Sequence, residues 1–502
     1  MHLYGRPKRR AIALAHAAVA LVSVFVLSGS SAWTHRLDAA AGRRSPTFAA
    51  LADRSARTLE RTFYNGLGLW RMCDPAICNV KNRDWGADSL TNLLYFRWMI
   101  TRDRSVLPIL RKLATTARMW APGAAASSDS VMWDAVAEAR MYQATGSQVA
   151  LAKAEAAVKW IGTVRGLGSG ACPAVDYQWP YGKKGSLKTI ETESNFIKAA
   201  LLLYGITGTR SYLTSARAQY AVVRRYFLEP SGLYTAYMID NGKSCHTLPG
   251  RYFASVNGNM IWAGQRLSMF TGNKAYLRDA VTTARAVQAR LSDGAGVFAD
   301  LQADNDIVGP LVEAMYALAH GDHQRFAAQW LLTNASAAGA DINSLGEYGR
   351  FFDGPPPAVM ATAWQTNGGI AVMQAAAGID PSGHPAYPHF WASAVFVPGS
   401  RSLSGPSLRI GFNGKAIAIM GDVGAQCCST GHARILVDGV PPANQTGIWQ
   451  NMSSPARLQP DQVLFAWRWR HSGYHVITIL PGQFDPEEGG SFFQMSGYLL
   501  VH

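Results

Sequence analysis

Charge is scarce in this 502-residue chain, which carries 16% Asp, Glu, Lys and Arg against 48% hydrophobic residues. That balance excludes disorder as the dominant state, because a disordered chain needs low hydrophobicity and high charge density. Acidic residues are the scarcer sign, 33 against 47 basic, which leaves a formal net charge of +14. No nucleic-acid motif accompanies the excess, so the anionic neighbours it suits are envelope polymers, unless the charge serves solubility alone. Cysteine is rare, at six, and none stands at zinc-ligand spacing with histidine, so neither a metal nor a cofactor is expected. In an exported chain these cysteines read as staples, up to three of them: Cys73 and Cys78 enclose a short loop, Cys172 and Cys245 belong to one face, and Cys427 and Cys428 are adjacent. Their pairing is not readable from the sequence.

Long apolar runs are missing everywhere except near the start. Arg6, Lys8, Arg9 and Arg10 precede an apolar stretch from Ala11 to Leu27, followed by small residues ending at Ala32. Residues 1–32 therefore have the layout of a secretory signal. The stretch also reaches the lower limit of a membrane span, so an uncleaved anchor is the alternative and the only membrane contact expected. The protein is expected to be secreted or held in the cell envelope.

What is abundant is a repeated helical hairpin. Tyr142-Gln143-Ala144-Thr145-Gly146 leads to Val149, Thr207-Gly208 to Tyr212-Leu213, and Thr271-Gly272 to Tyr276-Leu277. His320-Gly321 before Phe326 is a looser copy, and Thr101-Arg102-Asp103 before Val106 is a glycine-free one. Apolar residues recur at three- and four-residue steps on either side, and glycine supplies the turn. A single pair cannot bury both of its faces, so copies about 50 to 65 residues apart must pack side by side. With a partial copy at Asn367 to Ala377 and a helix at Phe48 to Tyr64, the pattern predicts an all-α (α/α)6 toroid over residues 45–382. An open solenoid is the alternative. After Gly383 the chain turns to short β-rich runs such as Leu408 to Phe412, Val463 to Trp467 and His475 to Ile479. Residues 388–502 are read as a smaller all-β sandwich, and Asp353 to Pro357 as a rim loop inside the helical part.

If all the Thr-Gly turns lie on one face of the ring, the longer connections lie on the other, at the N-terminal ends of the first helices. Polar and aromatic residues gather there: Asp84, Trp85, Asp88, Asp129, Trp133, Trp179, Glu191, Glu193, Asn195, Asn257, Asn259, Asp304 and Asp306. Flat aromatic faces with carboxylates and amides between them suit a sugar, which has an apolar side and a fringe of hydroxyls. Cleavage of a glycosidic bond needs two carboxyl groups, about 5–5.5 Å apart for a covalent intermediate and wider for direct attack by water. Asp129 fits the ionised partner, since the dipole at a helix N-terminus favours negative charge, although an aspartate there is also a common helix cap.

The segment Asp129-Ser130-Val131-Met132-Trp133, continuing to Arg140, Tyr142 and Thr145-Gly146, resembles glycoside hydrolase family 76, where an Asp-Asp pair precedes Trp-Trp, Ala, Arg, Tyr and Thr-Gly. Asn257-Gly258 and the hairpins extend the resemblance over roughly residues 60 to 378. It implies an (α/α)6 endo-α-1,6-mannanase of retaining mechanism, with a mannan-like or cell-envelope polysaccharide as partner and Asp129 as nucleophile. Ser130 then falls where the family has its general acid, and a hydroxyl cannot replace one. A carboxyl from another mouth loop must substitute, Glu193 ahead of Glu191, or hydrolysis is impaired. A shift of register by one would make Asp129 the acid and lose the match at Trp133. Asp134 stands for the family's second tryptophan, turned about 140° from Asp129 on the helix. With Asp84, Trp85, Asp88, Trp133, Trp179, Asn195, Asn257, Asn259 and Asp306 it completes the expected substrate-binding set. Two other functions fit the same scaffold: a polysaccharide-binding protein that has lost its acid, and a polysaccharide lyase using His246 and Tyr252. The C-terminal part resembles sandwich modules of secreted carbohydrate-active enzymes; Trp449, Trp467 and Trp469 are candidates for a sugar platform, with burial the alternative for Trp467 and Trp469, which share a strand face.

Overall fold

The structure, a computed structural model, describes residues 45–73, 81–82, 85–116, 128–165, 187–240, 243–247, 252–299, 307–340, 342–357, 362–386, 390–402, 407–423, 432–442, 450–451, 459–480 and 494–502. The expected export segment lies outside these residues, as do Cys78, Cys172, Cys427 and Cys428; Cys73 and Cys245 are each disulfide-bonded. No described helix is long and apolar enough to cross a membrane.

Twelve α-helices are described: α1 (Phe48–Thr58), α2 (Trp85–Thr101), α3 (Leu107–Thr115), α4 (Ser128–Thr145), α5 (Gln148–Arg165), α6 (Ile190–Thr207), α7 (Arg210–Phe227), α8 (Ala254–Thr271), α9 (Lys274–Arg290), α10 (Gly309–Gly321), α11 (Arg325–Ala340) and α12 (Ala363–Ile379). They fall into two classes by burial. In α7 a narrow stripe is covered, Ala216, Tyr220, Val223 and Phe227, and in α9 the stripe is Ala280, Thr283, Ala284 and Val287. These are outer helices with one solvated face. In α4 every residue from Ser128 to Met141 is buried, and in α6 every residue from Ile190 to Leu203. Helices covered on all sides form an inner wall, in which α2 packs on α4, α4 on α6, α6 on α8, α8 on α10 and α10 on α12. The last inner helix, α12, packs back against α2, which the ends of an open solenoid do not do.

The turns between inner and outer helices share one device. Thr145, Thr207 and Thr271 each donate the side-chain hydroxyl to the carbonyl four residues earlier, and each accepts from the backbone N–H two residues later. The intervening glycine, Gly208 or Gly272, sits at φ 70° or 74°, the left-handed conformation that ends the helix. Thr101 makes the same two bonds without a glycine, and Arg102 adopts φ 56° in its place. The repeat is therefore a threonine cap first and a glycine turn second.

Polar burial is concentrated at the other end of the inner helices. Asp88 and Ser89 in α2, Ser128 to Ser130 in α4, Glu191 to Asn195 in α6, Asn257 and Asn259 in α8, and Gln365 to Asn367 in α12 are all buried within the first turns. Asn257 explains one of them as architecture. Its amide donates to the Tyr234 and Phe253 carbonyls and its oxygen accepts from the Tyr234 N–H, which pins the loop after α7 to the start of α8.

Short strands finish the helical part: β1 (Trp70–Arg71) pairs with β2 (Lys81–Asn82), and β3 (Leu187–Thr189), β4 (Tyr237–Asp240) and β5 (Cys245–Thr247) form a small antiparallel sheet that leads directly into α6. The C-terminal part contains β6 (Val395–Ser402), β7 (Leu408–Val423), β8 (His432–Val437), β9 (Gln450–Asn451), β10 (Gln459–Leu480) and β11 (Gln494–Val501). The described strands form one antiparallel sheet in the order β6-β11-β7-β10-β8-β9, with register shifts along the long β7–β10 pair.

This sheet is docked on the helical part beside the polar ends of the inner helices. Gln365 at the start of α12 donates to Gln462 of β10, Gly294 bridges to Trp469, and Phe351 and Ala299 enter the sheet's apolar core. Beneath the joint, the Asp293 and Asp353 carboxyls are buried neighbours that interact electrostatically. Burial raises both pKa values, Asp353 well above the carboxylate range with the neighbouring Asp293 charge adding to it, while Arg468 of β10 opposes the shift. The Asp353 to Pro357 stretch is thus part of the joint between the two parts. Trp467 is buried against Phe465 and is a core residue; Trp469 is half-buried and stacked on His475 at 4.0 Å.

The tightest helix contact is at Gly258, where a β-carbon would fall on the backbone of Pro310 and Leu311. Helices α8 and α10 approach that closely only because residue 258 has no side chain. Gly258→Ala is expected to cost about 1–3 kcal/mol by overpacking. Urea unfolding measures it, and an unchanged midpoint would show that the contact is looser than described.

Candidate functional site

The site is assembled from the first turns of α4, α6 and α8. Thr189 caps α6 by accepting from the Glu191 N–H at 3.0 Å, so the strand-to-helix junction fixes the position of Glu191. Ser128 of α4 and Thr192 of α6 share a hydroxyl contact at 3.1 Å, which ties the two helix starts together. The carboxyls of Asp129 and Glu191, in the first turns of these two packed helices, interact electrostatically.

The two carboxyls are held very differently. Glu191 accepts from Ser255 Oγ at 2.8 Å, from Asn195 Nδ2 at 3.4 Å and from the Trp133 indole, with the positive charge of Lys198 nearby. Burial raises its pKa to about 7, and those four influences restrain the rise. Asp129 has no comparable support, and its Oδ1 is buried without a hydrogen-bond partner. Burial, and then the Glu191 charge, raise its pKa well above the usual aspartate value. Desolvation and a like-charged neighbour thus act against the ionisation that a helix N-terminus favours. Within the pair, the donors from Ser255 and Asn195 favour the negative charge on Glu191 over Asp129.

A polar chain runs from Glu191 to the middle of the ring. Asn195 accepts from Asn259 Nδ2 at 2.9 Å, Asn259 Oδ1 accepts from Lys198 Nζ at 3.0 Å, and Lys198 donates to Glu313 of α10 at 2.8 Å. Glu313 also accepts from Arg140 of α4. The two cations hold the Glu313 carboxyl down to about 2 against the opposing effect of burial, and burial lowers Lys198 to about 8.

The remaining expected residues are placed as follows. Glu193 is fully buried and lies two positions from Glu191, about 200° around α6. Asp88 and Asp134 are buried in α2 and α4, and Trp85 is half-buried at the start of α2. Trp133, Asn195 and Asn259 belong to the support of Glu191, and Asn257 to the loop anchor described above. Asp84, Trp179, Asp304, Asp306 and Trp449 lie outside the described residues. Among the described residues no group of three His, Cys, Asp or Glu is disposed to hold a metal. Ser255, Lys198 and Glu313 were missed by the sequence reading. A signal existed for two of them: Lys198 interrupts the run Phe196 to Leu203, and Glu313 interrupts Pro310 to Met315.

No family model matches the chain, and no curated protein matches it. Solved structures do match the helical part. A glycoside hydrolase family 76 α-1,6-mannanase from Salegentibacter sp. HEL1_6 aligns with TM-score 0.57 and 19% identity over 66% of this chain and 99% of its own. An inactive variant of that enzyme with two adjacent aspartates replaced, in complex with α-1,6-mannotetrose, aligns with TM-score 0.58 and 18% identity over the same shares. A family 76 glycoside hydrolase from a bovine Bacteroides thetaiotaomicron strain aligns with TM-score 0.57 and 14% identity over 67% of this chain and 78% of its own. An unsaturated glucuronyl hydrolase specific for heparin shares the architecture at TM-score 0.50 and 11% identity, over 66% of this chain and 96% of its own. The helical part thus has the fold of the family 76 glycoside hydrolases.

Glu313 is the shared carboxylate partner of two buried cations, so Glu313→Gln removes the one negative charge that both face and is expected to cost about 3–5 kcal/mol. Lys198→Met leaves the Arg140–Glu313 pair intact and should cost less. Chemical denaturation of the two variants compares them; equal or reversed losses would contradict the placement of Glu313 between the cations.

Proposed function

We propose that the chain is an exported glycoside hydrolase acting on an α-mannan-type polysaccharide, with a helical part that closes into an (α/α)6 toroid. The observation that carries this reading is the Asp129–Glu191 pair: two carboxyls at the polar end of the inner helices, one built to carry charge and one to carry a proton. The fold shared with family 76 enzymes supports the substrate class, and the basic N-terminus followed by an apolar stretch supports export.

The division of labour follows from the surroundings of each group. Asp129, protonated, donates its proton to the departing glycosidic oxygen. Glu191, ionised and steadied by Ser255, Asn195 and Trp133, faces the anomeric carbon as positive charge develops there and acts as nucleophile, giving retention. Water then releases the sugar, with Asp129 taking back a proton from it. This exchanges the roles that the sequence register suggests and supplies the second carboxyl that Ser130 cannot. The acid comes from α4 and the nucleophile from α6.

Three measurements test the reading. With α-1,6-mannan, Asp129→Asn is expected to lose about 10²–10⁴-fold in kcat/KM through loss of acid catalysis. On an α-1,6-mannobioside with a dinitrophenolate leaving group, which needs no protonation, Asp129→Asn should retain most activity and Glu191→Gln should lose it. The reverse ranking would return the nucleophile to Asp129, and glycan binding without turnover by the unaltered protein would leave only a binding function.

The pH dependence has a definite sign. Glu191 must lose its proton to act, so kcat/KM is expected to rise as pH increases through about 7 and to fall again as Asp129 deprotonates. Stability should move oppositely. Both folded-state values lie above the ordinary 4.5 and 3.8, so the folded state holds protons that the unfolded chain releases, and stability declines as pH rises from those ordinary values through the folded ones. Glu191→Gln is therefore expected to raise Tm at pH 8 and to have little effect at pH 4. A lower Tm at pH 8 would contradict the desolvation of this carboxyl.

A further inference from the structure

The ring has a second opening that the proposed chemistry does not use. On the face of the Thr-Gly turns, opposite the carboxyl pair, the C-terminal halves of α2, α4, α6, α8 and α10 enclose a cavity of about 610 Å³. This lies within the roughly 300–1,000 Å³ range of small-molecule sites. Glu313 forms part of its wall, so the charged layer that supports Glu191 on one side also faces this cavity on the other.

Three polar atoms of the wall lack partners. Gln265 is 8% exposed and its Oε1 is unsatisfied; Ser268 is 3% exposed and its Oγ is unsatisfied; Asp322 contributes an unsatisfied Oδ2 at the rim. A buried acceptor without a donor is costly unless a ligand or ordered water supplies one. These acceptors call for a ligand that brings hydroxyl donors.

Charge and shape narrow the class. Glu313 and Asp322 put negative charge in the wall and Arg266 and Lys274 put positive charge there, so the wall carries no single sign that would select a charged ligand. Tyr316, buried and stacked on His320, and Trp262 are among the aromatic rings of the wall. We infer that this cavity is a second saccharide site, binding the end of a neutral oligosaccharide through its hydroxyls and one apolar ring face. It is separate from the carboxyl pair and independent of whether that pair cleaves anything.

The site can be closed without touching the proposed catalytic residues. A β-carbon at Gly205 would meet only Phe270 Cζ, at 3.5 Å, so Gly205→Leu extends into the cavity from an undisturbed helix. Gln265→Met removes the amide at nearly constant volume. The experiment titrates the full chain with α-1,6-mannobiose, maltose and cellobiose, and separately with glucuronate and inorganic phosphate, by calorimetry and saturation-transfer NMR. It uses the unaltered protein, Glu191→Gln, Gly205→Leu and Gln265→Met, each checked for a cooperative thermal transition.

At least one neutral disaccharide is expected to bind the unaltered protein and Glu191→Gln alike, and to bind at least tenfold more weakly to Gly205→Leu and Gln265→Met. Mannan hydrolysis should be unchanged in the two cavity variants. If Gly205→Leu fails to fold, Gln265→Met decides alone. Absence of neutral-sugar binding, undiminished binding in Gln265→Met, or binding of glucuronate or phosphate only would overturn the inference. Loss of hydrolysis in Glu191→Gln with sugar binding retained separates this result from the catalytic reading.

Discussion

Glu313 is the residue on which the site depends. It stands near the middle of the inner wall and accepts from Arg140 and Lys198, each of which comes from a different helix. Burying three charges is expensive, and the arrangement is tolerable because every cation has the same carboxylate as partner. Removal of the carboxylate would leave two desolvated cations, so α4, α6 and α10 are held in one relative position. Lys198 then has a proton donor to spare, and it is given to Asn259.

From that point the constraint passes outward as orientation. Asn259 is a donor to Asn195 and to Ser194, Asn195 is a donor to Glu191, and Ser255 closes the other carboxylate oxygen. Amides suit these positions because each has a donor end and an acceptor end, so the order of donors from Lys198 to Glu191 has a single sense. Both carboxyl oxygens of Glu191 are held by donors, while Asp129 Oδ1 is buried without one. A pair with unequal support is what separates the acid from the nucleophile, and neither residue type nor helix position does so alone.

Much of the fold was legible because it is repetitive. Thr145-Gly146, Thr207-Gly208 and Thr271-Gly272 mark hairpin turns, and the structure shows that the threonine hydroxyl makes the same two bonds in each; Thr101 makes them too, which is why the glycine-free copy was still readable. The polar ends of the inner helices were also legible, since residues such as Glu191 and Asn257 precede long apolar runs. What could not be read was the direction in which each polar side chain is used. Asn257 and Asn259 are two positions apart, yet one secures a loop and the other belongs to the carboxyl support. Glu191 and Glu193 are likewise two apart, and it is the Glu191 charge that acts on Asp129. Cross-helix pairs such as Lys198 with Glu313 depend on tertiary packing, which places residues 115 positions apart in contact.

The central claim is that a buried cation, Lys198, restrains the rise in pKa that burial imposes on the Glu191 carboxyl. The most direct measurement is a carboxyl infrared titration that isolates Glu191 as the difference between the unaltered protein and Glu191→Gln, repeated in a Lys198→Met background. The account predicts titration near 7 in the first case and at a higher pH once the Lys198 charge is gone. Titration in the ordinary glutamate range, or no change on removing Lys198, would contradict it.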